Sequence, residues 1–205
     1  MKGRKPMSGF AKHALTATLL ISTMLTGLTG CSSSVPTNYY LLSAEASEAK
    51  FTNPELALTV GPVYLADYLN RQGMVSRDSD VAYQIHDDEL WAGQLDTEIA
   101  LIVKQNLATL TGSEHLRSFG VVGMQPQHSI RITVDRFDAS SDGAARLQGS
   151  WQLLSATHQE LKHQAFSFSE IAATGTEGKV QAYSQLLLQL SEQIASALAQ
   201  MPLAE

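Results

Sequence analysis

Apolar and polar residues alternate along this chain with two periods, and the change from one to the other marks the elements. A period of two comes first. Tyr39-Tyr40-Leu41-Leu42 reads as a short opening strand, and Leu56, Leu58 and Val60 alternate with Ala57 and Thr59 toward Gly61-Pro62-Val63. Pro62 has no N–H to give, which places this end at a sheet edge or at the strand's exit. Between these strands, Ala44 to Asn53 is rich in Ala, Glu and Ser and reads as a loop. Beyond Asp67-Tyr68-Leu69-Asn70 come two short extended segments, Gly73 to Arg77 and Val81 to His86, with turn chemistry at Asp78-Ser79-Asp80. Further on, Ile130, Ile132 and Val134 alternate with Arg131, Thr133 and Asp135. Leu147, Gly149, Trp151 and Leu153 alternate with Arg146, Gln148, Ser150 and Gln152, and Ser141-Asp142-Gly143 joins the two as a hairpin. Phe137 has the wrong parity for the face of Ile130, which predicts a bulge or strand end near Arg136. A last extended segment, Leu161 to Ser169, carries Phe166 and Phe168 on one face and follows a turn near Thr157-His158-Gln159.

The period lengthens twice. Leu95, Ile99, Ile102, Val103, Leu107 and Leu110 recur at three- and four-residue spacing, one apolar stripe of a helix. Asp96 is its expected N-cap, Glu98 suits its first turn and Gly112 its end. Tyr183, Leu187, Leu190, Ile194, Ala197 and Met201 form a second stripe, opened by Thr174 and Glu177 at capping-box spacing and stopped by Pro202. Strands then helix, twice over, predict a single α+β domain, a mainly antiparallel sheet with two long helices packed on it.

The N-terminus follows neither pattern. Lys2, Arg4, Lys5 and Lys12 precede an apolar run from Ala14 to Leu25. As a helix that run spans roughly 18 Å, short of a ~30 Å hydrocarbon core, so it reads as a secretory signal and not a membrane span. It leads to Leu28-Thr29-Gly30-Cys31, which resembles the bacterial lipobox, where the Cys thiol takes a diacylglyceryl group and becomes the new N-terminus. Cys31 is the single cysteine of the chain. The expected organisation is therefore a signal peptide over 1–30, the lipidated Cys31 and a short tether over 31–38, and the domain over 39–205. Ser32 stands where an Asp would signal inner-membrane retention under the usual sorting rule, which favours the outer membrane. The seven residues from Ser32 to Asn38 reach at most about 25 Å.

Charge changes the picture next. Removing the first 30 of 205 residues leaves 175, with ten basic residues against 20 acidic and a formal charge of −10. A body this acidic argues against nucleic acid and against electrostatic adhesion to anionic lipid, so attachment falls to the acyl chains. No free thiol remains for a disulfide, cysteine catalysis or a metal thiolate. His86, His115, His128, His158 and His163 lack metal-ligand spacing, and no nucleophile elbow, phosphate loop or dinucleotide fingerprint occurs. Neither a cofactor nor a metal is expected. Asp87-Asp88-Glu89, the densest acidic cluster, reads as a solvated turn before the first helix, and Trp91 and Trp151 as core residues.

Several segments taken together say more. Val60-Gly61-Pro62-Val63, Asp67-Tyr68-Leu69-Asn70-Arg71 and Met74-Val75-Ser76-Arg77 resemble the auxiliary lipoprotein family of ABC-type transport systems, within it the PqiC-like branch. Leu90-Trp91-Ala92 with the following helix, Asp142-Gly143, Gly149-Ser150-Trp151 and Tyr39-Tyr40-Leu41 agree, in order, over nearly the whole mature domain. The resemblance implies an outer-membrane lipoprotein partner of MCE-domain proteins, whose stacked rings form a hydrophobic tunnel across the periplasm. It further implies a ring-like homo-oligomer, phospholipid as cargo, a role in membrane integrity and no bond chemistry. Tyr68, Leu69, Arg71 and Trp91 are the family-like positions to inspect first, as a partner interface or as a turn with its supporting core. Two other readings stay open: a lipid-tethered periplasmic hydrolase using the Asp87–Glu89 carboxylates, and an independent carrier that holds an acyl chain in its own core.

Overall fold

The longest run of strict alternation builds the centre of the sheet. In the computed structural model, which describes residues 36–121, 128–140 and 142–201, β6 (His128–Ser140) and β7 (Ala144–Ser155) pair antiparallel along their whole length. Their shared inner face carries Ile130, Ile132, Val134, Leu147, Trp151 and Leu153, each with 0% exposure. Full burial of an aliphatic side chain of this size contributes roughly 1.5–3 kcal/mol, so this patch is a large share of the core's stabilisation. The expected bulge is there. The register slips between Val134 and Arg136, leaving Asp135 unpaired and returning Phe137 to the inner face opposite Leu147. β8 (Glu160–Ile171) continues the meander antiparallel on β7.

The other edge of β6 is shared by two strands lying end to end. β2 (Leu58–Leu65) runs parallel to its first half, from Leu58 opposite His128 to Leu65 opposite Val134. The chain then steps out through a single 3-10 turn (Asp67–Leu69) and returns as β3 (Gly73–Ser79), which rejoins β6 in parallel at Ala139 and Ser140. β3 forms an antiparallel hairpin with β4 (Ala82–Trp91), and two three-residue strands complete the sheet. β1 (Asn38–Tyr40) lies parallel on the end of β4, and β5 (Leu116–Ser118) parallel on the start of β2. The antiparallel ladders are the long ones, and the parallel pairings fasten shorter pieces to them. Pro62 sits past the end of the β5 ladder, in an irregularity of the β2–β6 register between Val60 and Val63, where its missing N–H breaks no pairing.

Helices α1 (Leu95–Thr111) and α2 (Gly175–Ala199) pack side by side on one face, α1 over β2 and β5, α2 over β7 and β8. Ile99, Val103 and Leu107 of α1 and Leu186, Leu187, Leu190 and Ile194 of α2 are fully covered. Residues from Thr37 onward form one compact unit. Gly112 ends α1 in the left-handed conformation (φ 70°), as its place after the stripe predicts.

Three local expectations are corrected. The N-cap of α1 is Gln94, two residues before Asp96; Asp96 lies in the first turn, where its Oδ1 accepts from the Thr97 N–H at 2.8 Å. Thr174 is the N-cap of α2, but no side-chain capping bond forms there, because Gly175 and Gly178 shape the entry. Asp87-Asp88-Glu89 is not a turn. It lies within β4, at the point where the β3–β4 register shifts between the Gly73–Leu90 and Val75–Ile85 pairs and leaves His86 to Glu89 without a β3 partner. The lipobox, Cys31, Ser32, Ser141 and Pro202 lie outside the described residues.

Candidate functional site

The step between β2 and β3 gathers the four positions singled out in the sequence at one end of the sheet. Ala66 N–H still donates to Val134 O (3.0 Å), the last bond before the chain leaves the ladder. The 3-10 turn then points Leu69 inward, where it is 2% exposed, and leaves Asn70 and Arg71 in solvent. Trp91 N–H donates to Gln72 O at 2.8 Å, and Ala92 N–H to Tyr40 O at 2.9 Å, which ties the returning chain to the end of β4 and to β1. The Trp91 indole is 3% exposed and stacks 6.2 Å from the Phe137 ring and 6.0 Å from Tyr183 of α2. Leu69 and Trp91 thus support the turn from below, whereas Arg71 stands on its rim. Between that rim (Leu65, Leu69, Asn70, Arg71, Gln72) and the start of α1 (Gly93 to Asp96) lies an open cleft of about 370 Å³.

Tyr68 faces a cluster that periodicity alone does not reveal. Asp138 is fully buried, and two guanidinium groups close on it. Arg77 Nε lies 3.1 Å from Oδ2, and Arg136 reaches Oδ1 through both Nε and Nη2 at 3.0 Å. The Tyr68 hydroxyl approaches the same carboxylate (3.4 Å) and the Asp135 carbonyl (3.3 Å), and its ring packs 5.2 Å from that of Tyr83. Burial first, and the Asp138 charge second, raise the Tyr68 pKa above its ordinary value, so the phenol keeps its proton and donates. Arg136 and Asp138 have the i, i+2 spacing that puts two side chains on one strand face. Arg77 is 61 residues away from Asp138, which is why the sequence hides the pair.

A second buried acid sits behind the cleft. Glu98, 8% exposed in the first turn of α1, has no hydrogen-bond partner for either carboxylate oxygen among the described residues. Desolvation raises its pKa; the backbone amides near Leu42 and Gly93 counter this in part without reaching good hydrogen-bond geometry.

The acidic cluster does not converge on anything. Asp87 is exposed, and Glu89 accepts a hydrogen bond from the Thr176 hydroxyl at the start of α2. His86 pairs with Ser76 Oγ at 2.8 Å, and no group of three His, Cys, Asp or Glu side chains is placed to hold a metal ion among the described residues.

Comparison with known proteins places this architecture. The sequence model of the ABC-type transport auxiliary lipoprotein component matches residues 39–195. The intermembrane transport lipoprotein PqiC of Escherichia coli (strain K12) is 35% identical over 134 residues, covering 62% of this chain and 68% of PqiC, and the Shigella flexneri PqiC matches to the same extent. Among solved structures, an uncharacterized protein superposes with a TM-score of 0.67 at 25% identity, over 80% of this chain and 99% of the other. A Xanthomonas campestris protein superposes with a TM-score of 0.68 at 15% identity, over 80% and 95%, which shows a shared fold.

Proposed function

Because this chain belongs to the family of ABC-type transport auxiliary lipoprotein components, we propose that it is the outer-membrane lipoprotein subunit of a trans-envelope lipid transport system. In this reading Cys31 carries the acyl chains and residues 31–38 hold the domain against the periplasmic face of the outer membrane. There, as a homo-oligomer, it receives the end of a tunnel built by an MCE-domain protein, and phospholipid passes between the membranes. The domain acts as an adaptor and makes or breaks no covalent bond. The observation that carries this is the family match over nearly the whole folded unit, joined to the 35% identity with an intermembrane transport lipoprotein. Two structural facts support it. No helix among the described residues is long and apolar enough to cross a membrane, so in this reading the anchor is Cys31. Of the Asp87–Glu89 carboxylates, on which a hydrolase reading rests, Asp87 is exposed and Glu89 is engaged by the Thr176 hydroxyl.

Affinity purification of the full chain from detergent-solubilised membranes tests the proposal. An MCE-domain protein encoded beside it is the expected companion. A genome neighbourhood without an MCE or ABC-permease gene, together with no such protein in the eluate, overturns it. Mass spectrometry of the mature N-terminus gives the second readout, a thioether-linked diacylglyceryl group on Cys31.

A further inference from the structure

On the sheet face away from the helices, Arg131 projects from β6 where the β2–β6 register is interrupted between Val60 and Val63. Gly61 and Pro62 fill that gap and, with Thr59, Ser129, Ser155 and His158, line a cavity of about 150 Å³ around it. Three features of the lining are unusual together. The Arg131 Nε is buried and has no hydrogen-bond partner among the described residues, although a guanidinium offers five donors and leaving one dry is costly. Among the described residues Arg131 forms no ion pair and no acidic side chain lines the cavity, in a chain whose formal charge is −6. His158, also in the lining, is the one non-glycine residue with positive φ (61°) among the described residues, in a turn that Asn or Gly would fill with less strain.

The rest of the lining adds neutral donors. Hydroxyls come from Thr59 and Ser129, with that of Ser155 shared with Thr157 Oγ1 and the Gln159 N–H, and a second imidazole comes from His128, whose pKa burial lowers, so that it is a neutral donor or acceptor near pH 7. The Tyr64 ring lies 5.9 Å from the Arg131 guanidinium carbon, a cation–π contact that steadies the fork. The space suits one tetrahedral oxyanion and is too small for an acyl chain. Phe119, also in the lining, stands 63% exposed, an apolar flank at the mouth.

We infer that this cavity is a binding site for a phosphate-type oxyanion, with Arg131 as its charged anchor and the Ser, Thr and His groups as its neutral donors. The shared chemistry fits two sources, a phospholipid headgroup whose glycerol backbone and first methylenes rest on Phe119, or free phosphate. The inference does not rest on the transport reading: loss of the MCE partner leaves this site standing, and failure of this site leaves that partner in the eluate.

The test is a titration of the purified full chain in nonionic detergent, following the Arg131 Nε–H resonance of protein labelled with 15N-arginine. One arm adds inorganic phosphate, the other short-chain dihexanoyl phosphatidylglycerol. A saturable shift of Arg131 is expected. Binding of the lipid about tenfold tighter than of phosphate identifies a headgroup site, and equal or tighter binding of phosphate identifies a free-ion site. Arg131→Gln is expected to weaken either by about tenfold or more, and Arg131→Lys, which keeps the charge and loses the fork, by less. No saturable shift with either probe overturns the inference, as does unchanged affinity in a folded Arg131→Gln. The wild-type titration decides the matter even where a variant does not fold.

Discussion

Asp138 holds together two pieces of chain that the backbone ladder leaves apart. Its carboxylate bonds Arg77 on β3 and Arg136 on its own strand, and it lies in reach of the Tyr68 hydroxyl from the connecting turn. A buried charge with its partners intact is near neutral in energy, whereas removing one side leaves the other desolvated and alone. Asp138→Asn is therefore expected to cost about 3 kcal/mol in urea unfolding. Arg77→Met, whose partner keeps Arg136, is expected to cost less, and equal effects would deny the shared clamp. Gly149 is constrained in another way: a Cβ there would run into the Thr133 carbonyl and the Phe166 ring. Both neighbours are fixed in the sheet, so Gly149→Ala should cost about 2–3 kcal/mol by overpacking, read as a lowered melting temperature. Glu98 gives a pH signature. Its folded pKa lies above the ordinary 4.5, so below that value it is protonated in both states and carries no penalty. As the pH rises, the unfolded chain releases the proton first, and stability falls until the folded carboxyl ionises too. Glu98→Gln removes that slope. Its urea midpoint relative to the native chain should climb as the pH rises past the ordinary 4.5 and level off once the folded carboxyl has ionised, and a constant difference would contradict the assignment.

Elements were legible where burial is one-sided and opaque where a contact spans the chain. Both helices and the β6–β7–β8 meander follow directly from their periods, and the bulge near Arg136 from the parity of Phe137, because a side chain on the wrong face is an error the ladder has to absorb. The end-to-end placement of β2 and β3 on one edge of β6 was not legible, since no local pattern says which strand an edge will accept. The same holds for the segment from Ala44 to Asn53. It reads as irregular, yet it is pinned: Asn106 Oδ1, fully buried on α1, accepts from the backbone N–H groups of Glu45 (2.9 Å) and Ala46 (3.0 Å), and Lys50 and Phe51 N–H donate to Leu110 O. Tyr68, Leu69, Arg71 and Trp91 share one neighbourhood that their segments suggest, but only the fold divides them, with Leu69 and Trp91 beneath the turn, Tyr68 against the Asp138 carboxylate and Arg71 on the rim. Asn106→Ala leaves two amides without an acceptor, at about 1–3 kcal/mol each if they stay dry. The loop is free to open instead, so faster hydrogen exchange confined to Glu45 and Ala46 is expected. Faster exchange across the whole sheet would mean that the loop is part of the core.

At the scale of the whole molecule, a folded unit that begins at Thr37 and an acidic surface separate what the protein is from where it sits. Under the proposed function the body contributes nothing to its own address: its charge repels anionic lipid, and the residues that set the membrane lie upstream of the fold. The address should then be changeable without touching stability. Ser32→Asp places a retention signal beside the lipidated Cys31, five residues before the folded unit. The expected outcome is a shift from the outer- to the inner-membrane fraction on a sucrose gradient, with the melting temperature of the body unchanged. Since the seven residues from Ser32 to Asn38 reach no more than about 25 Å, a domain held at the inner membrane is out of reach of any partner ending at the outer one. Loss of the MCE companion and of detergent resistance should follow from relocation alone. A Ser32→Asp protein that still sediments with the outer membrane would remove Ser32 from the address. One that relocates yet keeps full detergent resistance would show that nearness to the outer membrane is not what the tether provides.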